Sequence, residues 1–154
     1  MEKIVNKLIE KNKTISTMES CTGGGLANEI TSIEGASSIL KYSAVTYSNE
    51  FKIKMGVKKE VIDKYSVYSM QTADEMSLNI SKFTNSDYGV GITGKLNRAD
   101  ENNNYGKDNV VFISIYDKEN NKYYNKELKV TKKTRKENKL LVIEEVKNIL
   151  LEII

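Results

Sequence analysis

The chain has 154 residues, a formal net charge of +3, one cysteine, and neither proline nor histidine. Its length suits one domain with a sizeable core, its charged fraction of 29% gives no sign of disorder, and its charge is too weakly basic to point to nucleic acid. A lone Cys21 excludes an internal disulfide and suits a reducing compartment, while the absence of histidine excludes a Ser-His-Asp triad and argues against a zinc site, since one Cys leaves only carboxylates as further ligands.

Residues 2–12 set Ile4, Val5, Leu8 and Ile9 on one helical face with Lys and Glu opposite, which predicts a surface helix over a sheet. The segment has no secretory apolar core, and no later run is long enough to span a membrane, so a soluble cytoplasmic protein is expected.

Thr14 to Met18 alternates and is β-branched, the pattern of a short strand, and Leu26 to Ile30 reads as a helix. Between them lie Glu19, Ser20, Cys21, Thr22 and Gly23, Gly24 and Gly25. A sharp strand-to-helix turn holds a hydroxyl at the tip of a sheet and leaves the first helical N–H groups for an anion or a developing oxyanion. The plainer reading is a helix cap by Ser20 or Thr22 with glycines filling the turn. A nucleophilic serine in a chain without histidine needs another base, and lysine is the usual substitute.

Residues 33–38 form a turn, and Tyr42 to Tyr47 a strand. Ser48 to Glu50 ends it, and Phe51 to Gly56 is a helical turn, so Tyr47 and Lys52 flank a strand-to-loop change where side chains converge at the end of a sheet. For Tyr47 the alternative is an ordinary core or edge aromatic, and for Lys52 a solvated surface lysine. Two helices follow, at 58–65 and 69–83, the second with Thr72 as a cap and Ala73, Met76, Ile80 and Phe83 as its core stripe. Residues 87–94 are a small-residue strand ending in Thr93-Gly94, and residues 95–108 a long polar loop.

A buried strand at 109–116, a turn at 117–122 and a lysine-studded edge strand at 123–130 come next. The basic run Lys132 to Lys136 opens a last helix with Leu140, Leu141, Ile143, Val146, Ile149 and Leu150 inward. Cations at a helix N-terminus oppose the macrodipole, which makes anion binding by Arg135 a candidate role beside that of a solvated basic patch. The order of elements predicts a layered α/β fold with a mixed sheet.

The run from Met18 to Val57 resembles the CinA C-terminal domain family, also called nicotinamide-nucleotide amidase or NMN deamidase. Three motifs carry the resemblance in order: ESCTGG at Glu19 to Gly24, the turn Gly35-Ala36-Ser37, and TYSNE at Thr46 to Glu50 with Lys52. The similarity covers residues 1–154 as a single domain. It implies a three-layer α/β/α sandwich with a mixed β-sheet. It also implies hydrolysis of the carboxamide of nicotinamide mononucleotide to nicotinic acid mononucleotide and ammonia, a pyridine-nucleotide salvage step needing no metal and no cofactor. Carried over, Ser20 is the nucleophile, Lys52 the general base and Tyr47 a proton relay. Cys21, Thr22, Gly23, Gly24, Thr93, Gly94 and Arg135 frame the substrate. The substrate phosphate needs an anion site, for which Arg135 and the basic run around it are the candidates, and Cys21 is read as a small buried residue rather than a rival nucleophile. A small-molecule nucleotide is then the partner, with neither nucleic acid nor membrane, and a homo-oligomer through the strand at 123–130 is expected.

The chain departs from the family after Thr93-Gly94. Family members continue with an Ala-Gly-Pro segment and later carry Lys-Pro-x-Gly, whereas Lys95 to Asp100 and Asn102 to Gly106 stand here, with Arg98 a candidate replacement phosphate contact. The usual Gly-Asp-Arg before the last helix is reduced to Lys133-Thr134-Arg135. The same chemistry on another amide or nucleotide, and a non-catalytic nucleotide- or partner-binding module, are the alternative functions.

Overall fold

The computed structural model describes residues 1–97 and 106–154. Its elements are α1 (Glu2–Glu10), β1 (Ile15–Glu19), α2 (Gly25–Thr31), a 3-10 turn (Ala36–Ser38), β2 (Leu40–Val45), α3 (Asn49–Lys54), α4 (Lys59–Tyr65), α5 (Met70–Thr84), β3 (Tyr88–Gly94), β4 (Val110–Asp117), β5 (Lys122–Lys129) and α6 (Arg135–Ile153).

The strands lie in the order β2-β1-β3-β4-β5. β1 runs parallel to β2 and β3, while β4 and β5 continue the sheet antiparallel. The sheet is therefore mixed, with helices on both faces. α1, α2 and α6 bury Ile4, Leu8, Leu26, Ile30, Val142, Val146 and Leu150 against Ile15, Val90, Ile92, Ile113 and Ile115. On the other face Met76 and Ile80 of α5 meet Met18 and Ala44, with Val57, Ile62 and Val67 alongside.

The small residues of β3 set the depth of that second layer. A Cβ at Gly89 would lie 2.0 Å from the Ser77 carbonyl oxygen, and one at Gly91 would lie 2.3 Å from that of Ala73. α5 thus rests directly on the backbone of β3. Gly94 answers a similar demand, since a Cβ there would lie 2.5 Å from Val110 O.

Several expected features move. Phe83 is 68% exposed: the end of α5 overhangs the β2 edge, where Phe83 meets the Tyr42 ring 5.8 Å away. Ser69, not Thr72, caps α5, accepting the N–H of Thr72. The last helix starts later than the basic run predicts, because Thr134 and Glu137 form a capping box that places Arg135 at its first position. Lys132 and Lys133 precede the helix, and Glu137 supplies the anion its first turn favours, which removes the conflict with the macrodipole. From that start the buried stripe is Asn138, Val142, Ile143, Val146 and Leu150, and Leu140 faces solvent. Ile9, at the last turn of α1, is likewise exposed. The loop after β3 begins with two buried residues, Lys95 and Leu96. Arg98 lies outside the described residues. Among the described residues no helix is long and apolar enough to cross a membrane.

Replacing Gly91 with Ala should cost about 2–4 kcal/mol, because the new methyl meets backbone that cannot rotate away. Urea denaturation checks this, and a loss below about 1 kcal/mol would show that α5 shifts freely on the sheet.

Candidate active site

β1, β2 and β3 are parallel, so their C-terminal ends share one edge. The register pairs Glu19 with Val45 on one side and Ile92 on the other. Thr46, Ser20 and Thr93 are the next residues on three adjacent strands, and they stand in a row along that edge. The row is held by backbone bonds, Thr46 N–H to Glu19 O at 2.8 Å and Ser20 N–H to Ile92 O at 3.0 Å.

α3 brings Lys52 to this row. Ser48 caps the helix through the Phe51 N–H, and Lys52, one residue further on, points inward. Lys52 is only 1% exposed, where a surface lysine would be solvated. Its Nζ donates to Ser20 Oγ at 3.1 Å and to the Thr46 carbonyl at 2.6 Å. Ser20 is 7% exposed. Burial lowers the Lys52 pKa from 10.5 to about 8, with the neighbouring Cys21 pulling weakly the other way. A buried amine bonded to a serine hydroxyl is the arrangement that a base–nucleophile pair requires.

Cys21 behaves differently. It is buried in the core cluster, and burial pushes its thiol up to about 12, against the pull of Lys52 and Arg135. It is therefore a neutral thiol near pH 7, a poor nucleophile beside Ser20.

The turn after Ser20 departs from the expected arrangement. Neither Ser20 nor Thr22 caps α2; the cap position is Gly24, in the left-handed region at φ 87°. Glu19 fills the helix start instead. Its Oε2 accepts the N–H groups of Gly24 and Leu26 at 3.1 Å each, and its Oε1 accepts that of Ala27 at 2.9 Å. The Gly23 and Gly25 N–H groups bond to Ser20 O and Thr22 O. The open helix terminus that the sequence predicts is thus occupied from within. In the turn, among the described residues, the N–H groups of Cys21 and Thr22 make no bond to another backbone carbonyl, and that of Cys21 lies against its own thiol. The hydroxyls of Thr22 and Thr46 are buried without a hydrogen-bond partner.

The remaining candidates divide into two groups. Thr93 is buried on the same edge, and its hydroxyl donates to Val67 O at 2.9 Å. Gly94 faces β4. Tyr47 and Arg135 form the rim. Tyr47 is 65% exposed, and its hydroxyl accepts from Arg135 Nη2 at 3.4 Å rather than bonding to Ser20 or Lys52. Arg135 Nη1 donates to Leu96 O at 2.7 Å. Lys139 of α6 reaches the turn itself, its Nζ 3.1 Å from the point a Cβ on Gly23 would occupy. Asn97 joins the rim to α6 by donating to Lys132 O and Lys133 O and by accepting from Asn138.

Sequence reasoning missed Glu19, Thr46, Asn97, Asn138 and Lys139. Glu19 carried one usable signal, an acidic residue just ahead of a glycine-opened helix with no Ser, Thr or Asp at its cap. Among the described residues no group of three or more Cys, Asp and Glu side chains is arranged to hold a metal ion.

The model of the CinA C-terminal domain matches residues 1–154. A CinA-like protein of Flavobacterium psychrophilum is 41% identical over 119 residues, which make up 75% of this chain and 28% of that protein. A competence-damage inducible protein of Thermoanaerobacter sp. (strain X514) is 46% identical over 96 residues, 61% of this chain and 23% of that protein. The chain thus matches only a minor part of the length of these curated relatives. Among solved structures, a CinA superfamily protein of Escherichia coli aligns with a TM-score of 0.89 at 22% identity, covering 99% of this chain and 90% of that one. A competence/damage inducible protein of Agrobacterium tumefaciens aligns at 0.85 and 25% identity, covering 98% and 93%. The five-stranded mixed sheet with helices on both faces is the fold of these structures, and the chain belongs to the CinA C-terminal domain family.

Proposed function

We propose that this chain is a serine amidohydrolase that removes ammonia from the carboxamide of nicotinamide mononucleotide and leaves nicotinic acid mononucleotide. The observation that carries the reading is the buried Lys52 amine, 3.1 Å from Ser20 Oγ. An amide is a poor electrophile, so it needs an activated hydroxyl, a place for the oxyanion and a proton for the departing nitrogen.

In this reading neutral Lys52 takes the Ser20 proton as Oγ bonds to the carboxamide carbon. The oxyanion faces the N–H groups of Cys21 and Thr22. As the C–N bond breaks, Lys52 returns its proton to the nitrogen and ammonia leaves. Water then attacks the acyl-serine and gives a proton to Lys52, which passes it to Ser20 Oγ as the acyl bond breaks; the acid product loses its own proton to solvent, and both Ser20 and neutral Lys52 are restored. Arg135 and Lys139, at the rim beside Gly23, supply positive charge for the substrate phosphate. Tyr47 acts through Arg135, holding the guanidinium over the rim, in place of the proton relay that the resemblance implies.

With Lys52 at about 8, kcat/KM for ammonia release should rise with pH through a midpoint near 8 and then level. A profile flat from pH 6 to 9 would remove Lys52 as the base. Ser20→Ala should lower the rate at least ~10³-fold in folded protein. Folded wild type that releases no ammonia from nicotinamide mononucleotide would overturn the substrate assignment.

Lys52→Met should abolish turnover and raise stability near neutral pH by roughly 1–3 kcal/mol, since it removes an ammonium from the interior. The sign follows from linkage. The unfolded chain binds the Lys52 proton more tightly, so wild-type stability rises between about pH 8 and the ordinary 10.5, while below 8 the group's full cost is present and does not change with pH. The Met variant should lack that rise, and urea denaturation at pH 7 and 10 measures both effects.

A further inference from the structure

Glu19 is completely buried and immediately precedes Ser20. Among the described residues no Lys or Arg pairs with it, and backbone N–H groups of Gly24, Leu26 and Ala27 hold its carboxylate. A neutral Ser, Thr or Asn at the helix start would satisfy the same kind of donor without burying a charge. The position of Glu19 gives that charge a use. Its backbone ends β1, its side chain grips the first turn of α2, and the turn 20–23 is closed between the two.

We propose that Glu19 is a positioning residue for the Ser20–Lys52 pair, fixing the shape of the turn that aims Ser20 Oγ at the amine and setting the field in which that amine exchanges its proton. The carboxylate also fills the start of α2, which leaves the oxyanion to the N–H groups of Cys21 and Thr22. The charged and titratable groups around the pair are Glu19 on β1, Cys21 in the turn, Tyr47 after β2, Lys52 on α3 and Arg135 on α6. α5 turns the uncharged Thr72, Ala73, Met76 and Ser77 toward the sheet, and its acid on that side, Asp74, faces Ser114 of β4 and Asn125 of β5. Glu19 is the one acid in that set, so it favours the protonated amine. Its neutralisation should make the amine lose its proton at lower pH.

The proposal rests on Ser20 being the nucleophile of the reading above, and a probe other than the nucleotide separates the two. p-Nitrophenyl acetate acylates an activated serine. The Ser20 Oγ–carbonyl bond forms, the aryl ester bond breaks, p-nitrophenolate leaves and Lys52 takes the serine proton. Wild type, Glu19→Gln, Glu19→Asp and Ser20→Ala are compared from pH 6 to 10 by nitrophenolate release, with mass spectrometry for the acyl group on Ser20 and circular dichroism for the fold.

Folded Glu19→Gln should acylate about 10- to 100-fold more slowly at the plateau, with its midpoint lowered by about half a unit or more. Glu19→Asp, which keeps the charge on a shorter arm, should restore the midpoint but not the full rate. An unchanged rate in folded Glu19→Gln, or a slower rate with an unmoved midpoint, would overturn the proposal and leave Glu19 as a structural cap. If Glu19→Gln does not fold, Glu19→Asp decides: a slower rate at the wild-type midpoint supports the proposal, and wild-type rate overturns it. Wild type that acylates at Ser20 yet spares nicotinamide mononucleotide would overturn the substrate assignment alone. Wild type inert at Ser20 would overturn both.

Discussion

One buried amine organises this molecule. An ammonium taken out of water loses solvation worth several kcal/mol unless its donors are used and its charge is relieved. Lys52 uses two donors, on Ser20 Oγ and Thr46 O, and burial moves its pKa toward neutrality. Both partners come from strand ends fixed by parallel pairing with β1, so the site depends on the sheet being in register to the residue. A slip of one residue between β1 and β2 would turn Thr46 away and strand the amine. The parallel half of the sheet is thus the part of the fold that the chemistry cannot spare.

The other half does different work. β4, β5 and α6 do not touch the Ser20–Lys52 bond. α6 instead delivers Arg135 and Lys139 to the rim, and the Thr134–Glu137 capping box determines which turn of the helix they occupy. Asn97 and Asn138 lock the end of β3 to the segment before that helix. Positive charge for a ligand and the nucleophile that would cut it are therefore built on separate elements. Change on the rim can therefore leave the Ser20–Lys52 contact intact.

The fold was legible because its signals are local. Alternation at Ile15 to Met18, glycines at 89 and 91 and the helical stripe of Ala73, Met76 and Ile80 each announce an element and its buried face. The stripe failed at Phe83 and Leu140, where the neighbour that decides burial is the edge of the sheet or the starting turn of the helix, and neither is visible in a window of residues. Within the site, Ser20 and Lys52 were legible through motif spacing, and their contact is what a strand end followed by a capped helical turn produces. Glu19 was not: a carboxylate that satisfies backbone five to eight residues ahead looks, in the sequence, like any acidic residue beside a turn. Tyr47 was legible as a site residue but not in its partner, because Arg135 lies 88 positions away in the chain.

The polar groups that remain unpaired give a last line of reasoning. A buried hydroxyl without a partner costs about 1–3 kcal/mol, and native proteins keep few of them. Among the described residues three buried side-chain atoms lack a partner: the hydroxyls of Thr22 and Thr46, on either side of the Ser20–Lys52 pair, and Asp74 Oδ1 on α5. Elsewhere the same fold pairs its hydroxyls with care, Ser16 with Thr84 and Ser77 with Ser114 at 2.9 Å each. Two unpaired hydroxyls beside a buried amine at one sheet edge are the kind of destabilising feature that a site kept for reactivity over stability retains.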